Sequence, residues 1–275
     1  MKAWICEAFG EAPMLIDCEE PIAQAHQIII DIAACGVNFA DTLILEGKYQ
    51  KHPTGPFAPG FEIAGTVSAI GTDVQGFTIG DRVMALPDWG GYAGRISVDA
   101  RLVTGLPDNV EFNVAAAFQI AYGTSWFGLK YRANLLPGEV VLVHGAAGGV
   151  GLTAVECAKL LGATVIATAG GADKCAIAKA HGADHVIDYK SESIRARVKE
   201  ICARIGRIGV DLVYDPVGGD VFDHSLRCVE LLELLSSGEI SPLVSATYPL
   251  INAMEALAAL RNRTATGKLV IRCRE

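Results

Sequence analysis

Six small residues in the middle of the chain have the types and spacing needed to hold a pyrophosphate. The sequence Ala146-Ala147-Gly148-Gly149-Val150-Gly151 follows an apolar run at 140–145 and precedes a helix-like stretch at 152–161. Glycines let the backbone turn tightly and let phosphates approach, and a helix N-terminus offers unpaired N–H groups with a partial positive charge. An ordinary tight turn would use the same residue types. With a further strand predicted at 164–169, the strand–turn–helix–strand order favours dinucleotide binding.

The residues after the second predicted strand indicate which dinucleotide is bound. In NAD-binding units an acid closes this strand and bonds the ribose 2′-hydroxyl. Here the strand ends at Ala169-Gly170-Gly171, so no carboxylate at its tip would repel a 2′-phosphate. Lys174 could pair with that phosphate as a point charge, although a solvated lysine at a helix start gives the same pattern. Asp173 lies where a helix cap would. The sequence therefore favours NADPH over NADH.

Composition and charge disfavour several classes of protein. The 275 residues carry a formal net charge of −8, which argues against nucleic acid and anionic membranes as main partners. Apolar runs all fall short of the roughly 20 residues needed to span a bilayer. Eight cysteines occur without a C-x-x-C pair. That pattern is typical of reduced thiols, and we therefore expect a cytoplasmic protein.

Two kinds of pattern divide the chain near residue 113. Before it, short β-like runs separated by glycine and proline are predicted at 27–34, 62–70 and 81–86. After it, strands that alternate with helix-like segments are predicted at 140–143, 164–169, 185–188 and 210–214. This alternation predicts an α/β fold with a doubly wound parallel sheet. The chain closes with a helix-like segment at 249–262 and a strand at 268–271.

Short motifs along nearly the whole chain carry a family resemblance. They lie at 36–42 (GVNFADT), 46–49 (EGKY), 59–65 (PGFEIAG), 80–83 (GDRV), 121–124 (AYGT), 145–151 (GAAGGVG), 182–189 (GADHVIDY), 215–219 (DPVGG) and 266–268 (TGK). In this order they strongly resemble the zinc-free quinone oxidoreductases (NADPH:quinone reductases) of the medium-chain dehydrogenase/reductase superfamily. The resemblance implies a GroES-like, β-rich catalytic domain formed by residues 1–113 with 249–275. It also implies an inserted Rossmann domain, residues 114–248, that binds NADPH.

The positions that hold zinc in related dehydrogenases are changed in this chain. By resemblance, Asn38 stands where a cysteine ligand would be, and Phe61 replaces the histidine before Glu62. Phenylalanine cannot ligate a metal, and a catalytic zinc needs three protein ligands. We therefore expect no metal site. Cys35 is three residues early for a ligand, and a core thiol is the better interpretation.

Without a metal, catalysis must depend on the alignment of the nicotinamide with the acceptor carbon. By resemblance, Asn38 and Tyr49 are the catalytic residues, which can hydrogen-bond the ribose or a quinone oxygen as it gains charge. Asn38 as a turn residue and Tyr49 as a loop anchor under prolines 53–59 remain alternatives. Asp41 is expected to brace this segment, and His144 to support the glycine turn.

The resemblance also implies a set of cofactor-binding residues. Thr124 and Val217 match positions beside the nicotinamide. Gly170, Lys174 and Tyr189 match positions around the adenosine phosphate, although Tyr189 could instead pack at the strand end. The whole set comprises Thr124, Ala147, Gly148, Gly149, Val150, Gly151, Gly170, Lys174, Tyr189 and Val217.

The chain departs from the family's usual layout after about Cys228. Because a βαβ unit needs about 30 residues, an apparent deletion of about 50 residues removes close to two strands of the Rossmann sheet. The strand at 210–214 would then be an apolar edge. The strand by which relatives dimerise would be missing, together with a loop near the nicotinamide.

Two functions follow from these observations. The first is an NADPH-dependent, zinc-independent oxidoreductase that transfers a hydride to a quinone or a related α,β-unsaturated carbonyl. The alternative is an NADPH-binding protein with impaired or no turnover because of the deletion.

Overall fold

The first third of the chain forms short strands around one antiparallel sheet. The structure, a computed structural model, describes residues 1–226, 228, 238, 241, 243–262, 264 and 268–272. Strands β1 (Lys2–Ile5) and β2 (Met14–Asp17) pair with each other. The main sheet has the order β6-β3-β4-β5-β7. Its strands are β3 (Gln27–Cys35), β4 (Ile63–Ile70), β5 (Arg82–Ala85), β6 (Arg95–Asp99) and β7 (Val103–Gly105).

Apolar residues on the central strands form the core of this sheet. Ile30 on β3 is opposite Val67 on β4 and Ile96 on β6, and all three side chains are buried. Helix α1 (Phe39–Leu45) follows β3, and the short α2 (Phe112–Ala116) packs against β3 and β4. The predicted strands at 27–34, 62–70 and 81–86 are confirmed to within one residue at each end. Buried apolar runs bounded by glycine and proline specified these strands well.

The second part of the described chain is a parallel sheet with helices on both faces. Its strands have the order β10-β9-β8-β11 and all pair in parallel. They are β8 (Val140–Val143), β9 (Thr164–Ala169), β10 (His185–Asp188) and β11 (Leu212–Tyr214). The helices are α3 (Gln119–Trp126), α4 (Gly149–Leu160), α5 (Ala172–Ala180), α6 (Ile194–Arg204) and α7 (Asp220–Leu226). Strand order and parallel pairing confirm the predicted doubly wound sheet.

The two faces of this sheet bury different side chains of the same strands. Val141 and Val143 of β8 pack with Val155 of α4 in one cluster. Val140 and Leu142 point the other way and pack with residues of α6 in a second cluster. Successive side chains of a strand point to opposite faces, so a strand that is covered on both sides is apolar throughout. The run at 140–143 therefore forms a strand although it does not alternate between apolar and polar residues.

The end of the described chain forms a separate unit. Strand β12 (Val244–Pro249) pairs in parallel with β13 (Lys268–Arg272), and α8 (Ala253–Arg261) connects them after one turn of 3-10 helix at Leu250–Asn252. Most of the helix predicted at 249–262 is confirmed, but Pro249 closes a strand that was not predicted. The assignment of 249–275 to the same domain as 1–113 stays a prediction.

In the described part of the chain, β11 is an edge strand that pairs with β8 alone. It begins at Leu212, two residues after the predicted start. Part of the segment after Cys228, where the deletion was inferred, lies outside the described residues, so the loss of two strands stays a prediction. No helix in the described ranges is both long enough and apolar enough to cross a membrane.

Candidate functional site

The predicted glycine turn joins β8 to α4. Gly145 has a φ of +57°, a backbone conformation that favours glycine. The Ala146 N–H donates to the carbonyl of Thr168 on β9 at 3.0 Å, and the Gly148 N–H donates to the Gly145 carbonyl at 2.8 Å. Helix α4 begins at Gly149, three residues before the predicted start. The glycines therefore form the first helical turn as well as the loop before it.

Two of these glycines have opposite surroundings. A Cβ on Gly151 would lie 2.2 Å from the Gly145 carbonyl oxygen, so only glycine lets the helix pack against the turn. A Cβ on Gly149 would meet no atom within 4 Å. Ala147 and Val150 are half-buried, whereas Gly148 and Gly149 are exposed. The first-turn N–H groups of a helix lack intrahelical partners, so this open end of α4 is suited to an anion.

A second group of predicted residues meets at the ends of β9 and β10. A Cβ on Gly170 would lie 2.6 Å from the Tyr189 hydroxyl, so the tyrosine ring lies directly on the glycine backbone. Tyr189 is 46% exposed, and Lys174 is exposed on the first turn of α5. The structure thus brings Gly170 and Tyr189 into contact and places Lys174 on the adjacent helix. A flat ring beside a lysine could border an adenosine phosphate.

Asp188 holds this loop and was missed by the sequence reasoning. Its Oδ1 accepts from the Gly171 N–H at 2.9 Å and from the Lys190 N–H at 3.0 Å. These backbone hydrogen bonds lower the pKa of the Asp188 carboxyl. The acid closes the third strand rather than the second, and its role depends on pairing between β9 and β10. An aspartate directly before Tyr189 was the available signal.

Val217 borders the opposite side of the glycine turn. Its Cγ2 lies 3.0 Å from where a Cβ on Gly145 would be, and the side chain is 57% exposed. Asp215 fixes this segment, because its Oδ1 accepts from the Val217 N–H at 2.9 Å and from the Gly218 N–H at 3.0 Å. An exposed apolar side chain next to the turn could contact the face of a nicotinamide.

Thr124 is exposed on α3, next to a residue that fastens this helix to the glycine helix. The Ser125 hydroxyl donates to the Val150 carbonyl at 3.0 Å and lies 2.8 Å from the Thr153 hydroxyl. The α3 helix is therefore bound to the first turn of α4. These contacts fix the position of Thr124 relative to the glycine turn.

Asn38 begins α1 and is held at two of its atoms. Its backbone N–H donates to Oδ2 of Asp41 at 2.6 Å, and its Nδ2 donates to Oε1 of Glu62 at 2.9 Å. Asp41 also accepts from the Gly60 N–H at 2.9 Å through Oδ1, which confirms its predicted bracing role. Burial raises the pKa of the Asp41 carboxyl, although the hydrogen bonds oppose that effect.

Tyr49 packs into an aromatic cluster rather than standing alone. Its ring lies 5.0 Å from that of Phe61, centroid to centroid, and the cluster includes Ile44 and Phe57. This packing supports the loop-anchor interpretation, while its catalytic role stays a prediction. Phe61 is buried in the same cluster, so the side chain that replaces a zinc ligand fills core volume. Within the described ranges, no group of three or more His, Cys, Asp or Glu residues could hold a metal.

The described cysteines are free thiols. Burial raises the pKa of five of them, namely Cys6, Cys35, Cys157, Cys175 and Cys228. The pKa of Cys35 is raised to about 12, because the carboxylates of Asp41 and Glu62 add to the effect of burial. These thiols are protonated at neutral pH, as expected for core residues.

His144 is completely buried directly before the turn. Its Nδ1 lies 2.8 Å from the Thr168 hydroxyl and its Nε2 lies 2.7 Å from the Ser225 hydroxyl. Because Ser225 donates to the Val221 carbonyl, it accepts from Nε2–H, and Nδ1 accepts from Thr168. The imidazole thus links β8, β9 and α7, which agrees with the predicted structural role.

Comparisons with known proteins agree with this architecture. The Alcohol dehydrogenase GroES-like domain matches residues 24–108, and two family models described as Zinc-binding dehydrogenase match 149–232 and 229–271. Quinone oxidoreductase-like protein 2 of Bos taurus is 34% identical over an alignment of 283 positions. The alignment covers 97% of this chain and 79% of that protein. Quinone oxidoreductase of Salmonella typhimurium is 40% identical over 86% of this chain and 72% of its own length.

Solved structures give the same result. The crystal structure of Escherichia coli quinone oxidoreductase complexed with NADPH superposes with a TM-score of 0.78 at 29% identity, covering 99% of this chain and 100% of that one. The Pseudomonas syringae quinone oxidoreductase has the same TM-score and identity, covering 98% of this chain and 99% of that one. The antiparallel sheet is thus the GroES-like part and the parallel sheet the Rossmann part of the fold. The chain belongs to the quinone oxidoreductase family of the medium-chain dehydrogenase/reductase superfamily.

Proposed function

We propose that this protein is an NADPH-dependent, zinc-independent oxidoreductase that transfers a hydride to a quinone or a related α,β-unsaturated carbonyl. The observation that carries the proposal is the open N-terminus of α4, bordered by Val217 on one side. At Gly149 no protein atom would obstruct a group that approaches the backbone. Bound NADPH would supply the hydride, and the similarity to a quinone oxidoreductase solved with NADPH supports this choice of cofactor.

Each group of predicted site residues would have its own role. Ala147 to Gly151 would hold the pyrophosphate on the helix end, and Gly170, Lys174 and Tyr189 would border the 2′-phosphate. Thr124 and Val217 would orient the nicotinamide. Asn38 would hydrogen-bond the ribose or the acceptor, and Tyr49, anchored on Phe61, would close the pocket wall. Hydride addition would leave a quinol anion or an enolate, which would take up a proton from solvent, so the main task of the protein is to align the nicotinamide with the acceptor carbon.

The alternative is a protein that binds NADPH without turnover. The observation that favours it is the sheet of the described residues, which has four strands. Both functions predict NADPH binding, so binding alone does not separate them.

Absorbance at 340 nm distinguishes the two functions. Purified protein with an intact mass of 29.0 kDa is mixed with NADPH and either 1,4-benzoquinone or 2-cyclohexenone. We expect oxidation with the quinone that falls in Asn38→Ala, while Glu46→Gln, at an exposed carboxylate paired with Lys48, serves as the matched control. NADPH binding without oxidation of NADPH by either acceptor would establish the alternative. Strong preference for the enone would change the substrate class.

A further inference from the structure

Glu62 is a buried charge to which the proposed chemistry assigns no task. Its side chain is 2% exposed. Oε1 accepts from Asn38 Nδ2 at 2.9 Å, and Oε2 accepts from the Ile120 N–H at 2.9 Å. Removing a carboxylate from water is costly unless its oxygens are hydrogen-bonded. Each oxygen here has one donor, and the two donors belong to different parts of the fold.

The backbone before Asn38 is shaped around this carboxylate. A Cβ on Gly36 would lie 2.5 Å from Glu62 Oε1 and 2.2 Å from the Ala116 carbonyl oxygen. The Gly36 N–H also donates to the Glu62 backbone carbonyl at 3.0 Å. No side chain larger than hydrogen fits at position 36, so the loop, the carboxylate and Asn38 form one packed unit.

The contact determines which atom of Asn38 faces a ligand. The Asn38 amide nitrogen donates to Glu62 Oε1, so Oδ1 of Asn38 faces away from Glu62. The side chain then offers a fixed acceptor, which suits a hydroxyl or amide N–H donor. A quinone carbonyl is itself an acceptor and cannot bond Oδ1. The orientation therefore suits a cofactor hydroxyl or amide as the partner of Oδ1, while the second hydrogen of Nδ2 can donate to an acceptor.

The other oxygen of Glu62 reaches the cofactor-binding part of the chain. Ile120 lies in the first turn of α3, where backbone N–H groups lack intrahelical partners. The same helix carries Thr124 and is joined to Val150 through Ser125. One carboxylate thus connects Asn38 to the helix that packs on the glycine turn.

We propose that Glu62 is a positioning residue, which orients the Asn38 amide so that Oδ1 accepts a hydrogen bond from the bound cofactor and which fixes Asn38 relative to α3. The assignment of Asn38 to the cofactor rests on the proposed function. The pairing of Asn38 with Glu62 rests on the structure alone.

An exchange of the two side-chain types tests the pairing. Asn38→Asp places two carboxylates in contact, so one must bind a proton. Like charge raises the folded-state pKa of that group above its unfolded value, and the variant should therefore lose stability as pH rises from 5.5 to 9. Glu62→Gln leaves one donor facing another, because a carboxamide accepts at only one of its two atoms. The double variant restores both contacts, since the introduced amide can donate to position 38 and accept from Ile120.

Melting temperature against pH, measured without cofactor, is the first readout. We expect the melting temperature of Asn38→Asp to fall as pH rises. The double variant should recover most of the loss and show the flat pH profile of the wild type. Glu46→Gln, at an exposed carboxylate 2.8 Å from Lys48, is the matched control and should match the wild type throughout. Losses in the double variant equal to the sum of the single losses, with a sloping profile, would overturn the pairing.

The steady-state pH profile of kcat/KM is the second readout. If Glu62 positions Asn38, kcat/KM should fall about tenfold or more in each single variant, because each leaves a buried group facing the wrong partner. It should recover in the double variant. A wild-type protein without turnover refutes the proposed function while the melting profiles still test the pairing. Turnover that is unchanged in both single variants would overturn the positioning role and leave the proposed function standing.

Discussion

Replacing Gly151 by alanine should weaken both the fold and the binding of NADPH. The added Cβ would lie 2.2 Å from the Gly145 carbonyl oxygen, 2.7 Å from the Gly145 carbonyl carbon and 3.0 Å from Ala146 Cα. All three are backbone atoms, so no rotamer change relieves the contact. The turn and the first turn of α4 must separate by about 0.8 Å to bring the shortest distance to 3.0 Å.

The magnitude follows from this displacement. Forced overpacking costs about 1–3 kcal/mol, and in a chain of this size each kcal/mol corresponds to about 2–4 °C in melting temperature. We therefore expect Gly151→Ala to melt about 2–12 °C lower. The same shift moves the N–H groups meant for the pyrophosphate. Loss of one hydrogen bond to a charged group, about 1.5–3 kcal/mol, raises the Kd for NADPH by about 10-fold or more.

Gly149→Ala is the matched control, because its Cβ would meet no protein atom within 4 Å. Its melting temperature should equal or exceed that of the wild type, since alanine is the better helix former. Its Kd for NADPH should still rise, because the methyl group enters the space assigned to the phosphates. Differential scanning fluorimetry and NADPH fluorescence titration give the two quantities. Wild-type affinity in both variants would refute the assignment of this turn to the cofactor.

Three further substitutions test other parts of the site. Tyr49→Phe should keep the melting temperature, whereas Tyr49→Ala should lower the free energy of unfolding by about 2–4 kcal/mol through lost packing on Phe61; equal effects in urea denaturation would contradict the anchoring role. His144→Ala should cost about 2–4 kcal/mol by the same assay, because it leaves a cavity and two hydroxyls without their partner, and a cost below 1 kcal/mol would argue against the buried network. Asp188 has a lowered pKa, so its contribution to stability is present above the unfolded-state pKa of about 4 and is lost as pH falls through the folded-state pKa. Asp188→Asn should therefore melt below the wild type at pH 7, and the two melting curves should converge towards pH 2.

The Rossmann strands could be predicted well because each is specified by adjacent residues. The predictions at 140–143, 164–169 and 185–188 agree with the structure residue for residue. Apolar runs of four to six residues with glycine at or near an end leave little choice of boundary. The start of α4 was placed three residues late, because glycine is a poor helix former and nothing local shows that Gly149 and Gly151 adopt helical dihedrals.

The site was predicted less completely because its key contacts join distant parts of the chain. Asn38 was identified, but its partner Glu62 lies 24 residues away and was noted only as the neighbour of a lost zinc ligand. Asp188 braces a loop 17 residues earlier through a contact that exists only once β9 and β10 pair. Tyr49 was predicted to line the pocket, whereas its packing on Phe61 depends on how α1 folds back. Sequence patterns report local periodicity and not such pairings.

The protonated state of the thiols has a consequence for the proposed acceptor. Quinones are electrophiles that arylate proteins, and the thiolate is the form of cysteine that they attack. Burial and the nearby carboxylates of Asp41 and Glu62 raise the pKa of Cys35 to about 12, so it stays a thiol at pH 7. Burial of Cys6, Cys157 and Cys228 adds a barrier to access. These buried thiols are protected from the proposed acceptor, and intact mass after benzoquinone exposure should show fewer adducts on the folded chain than on the urea-unfolded chain.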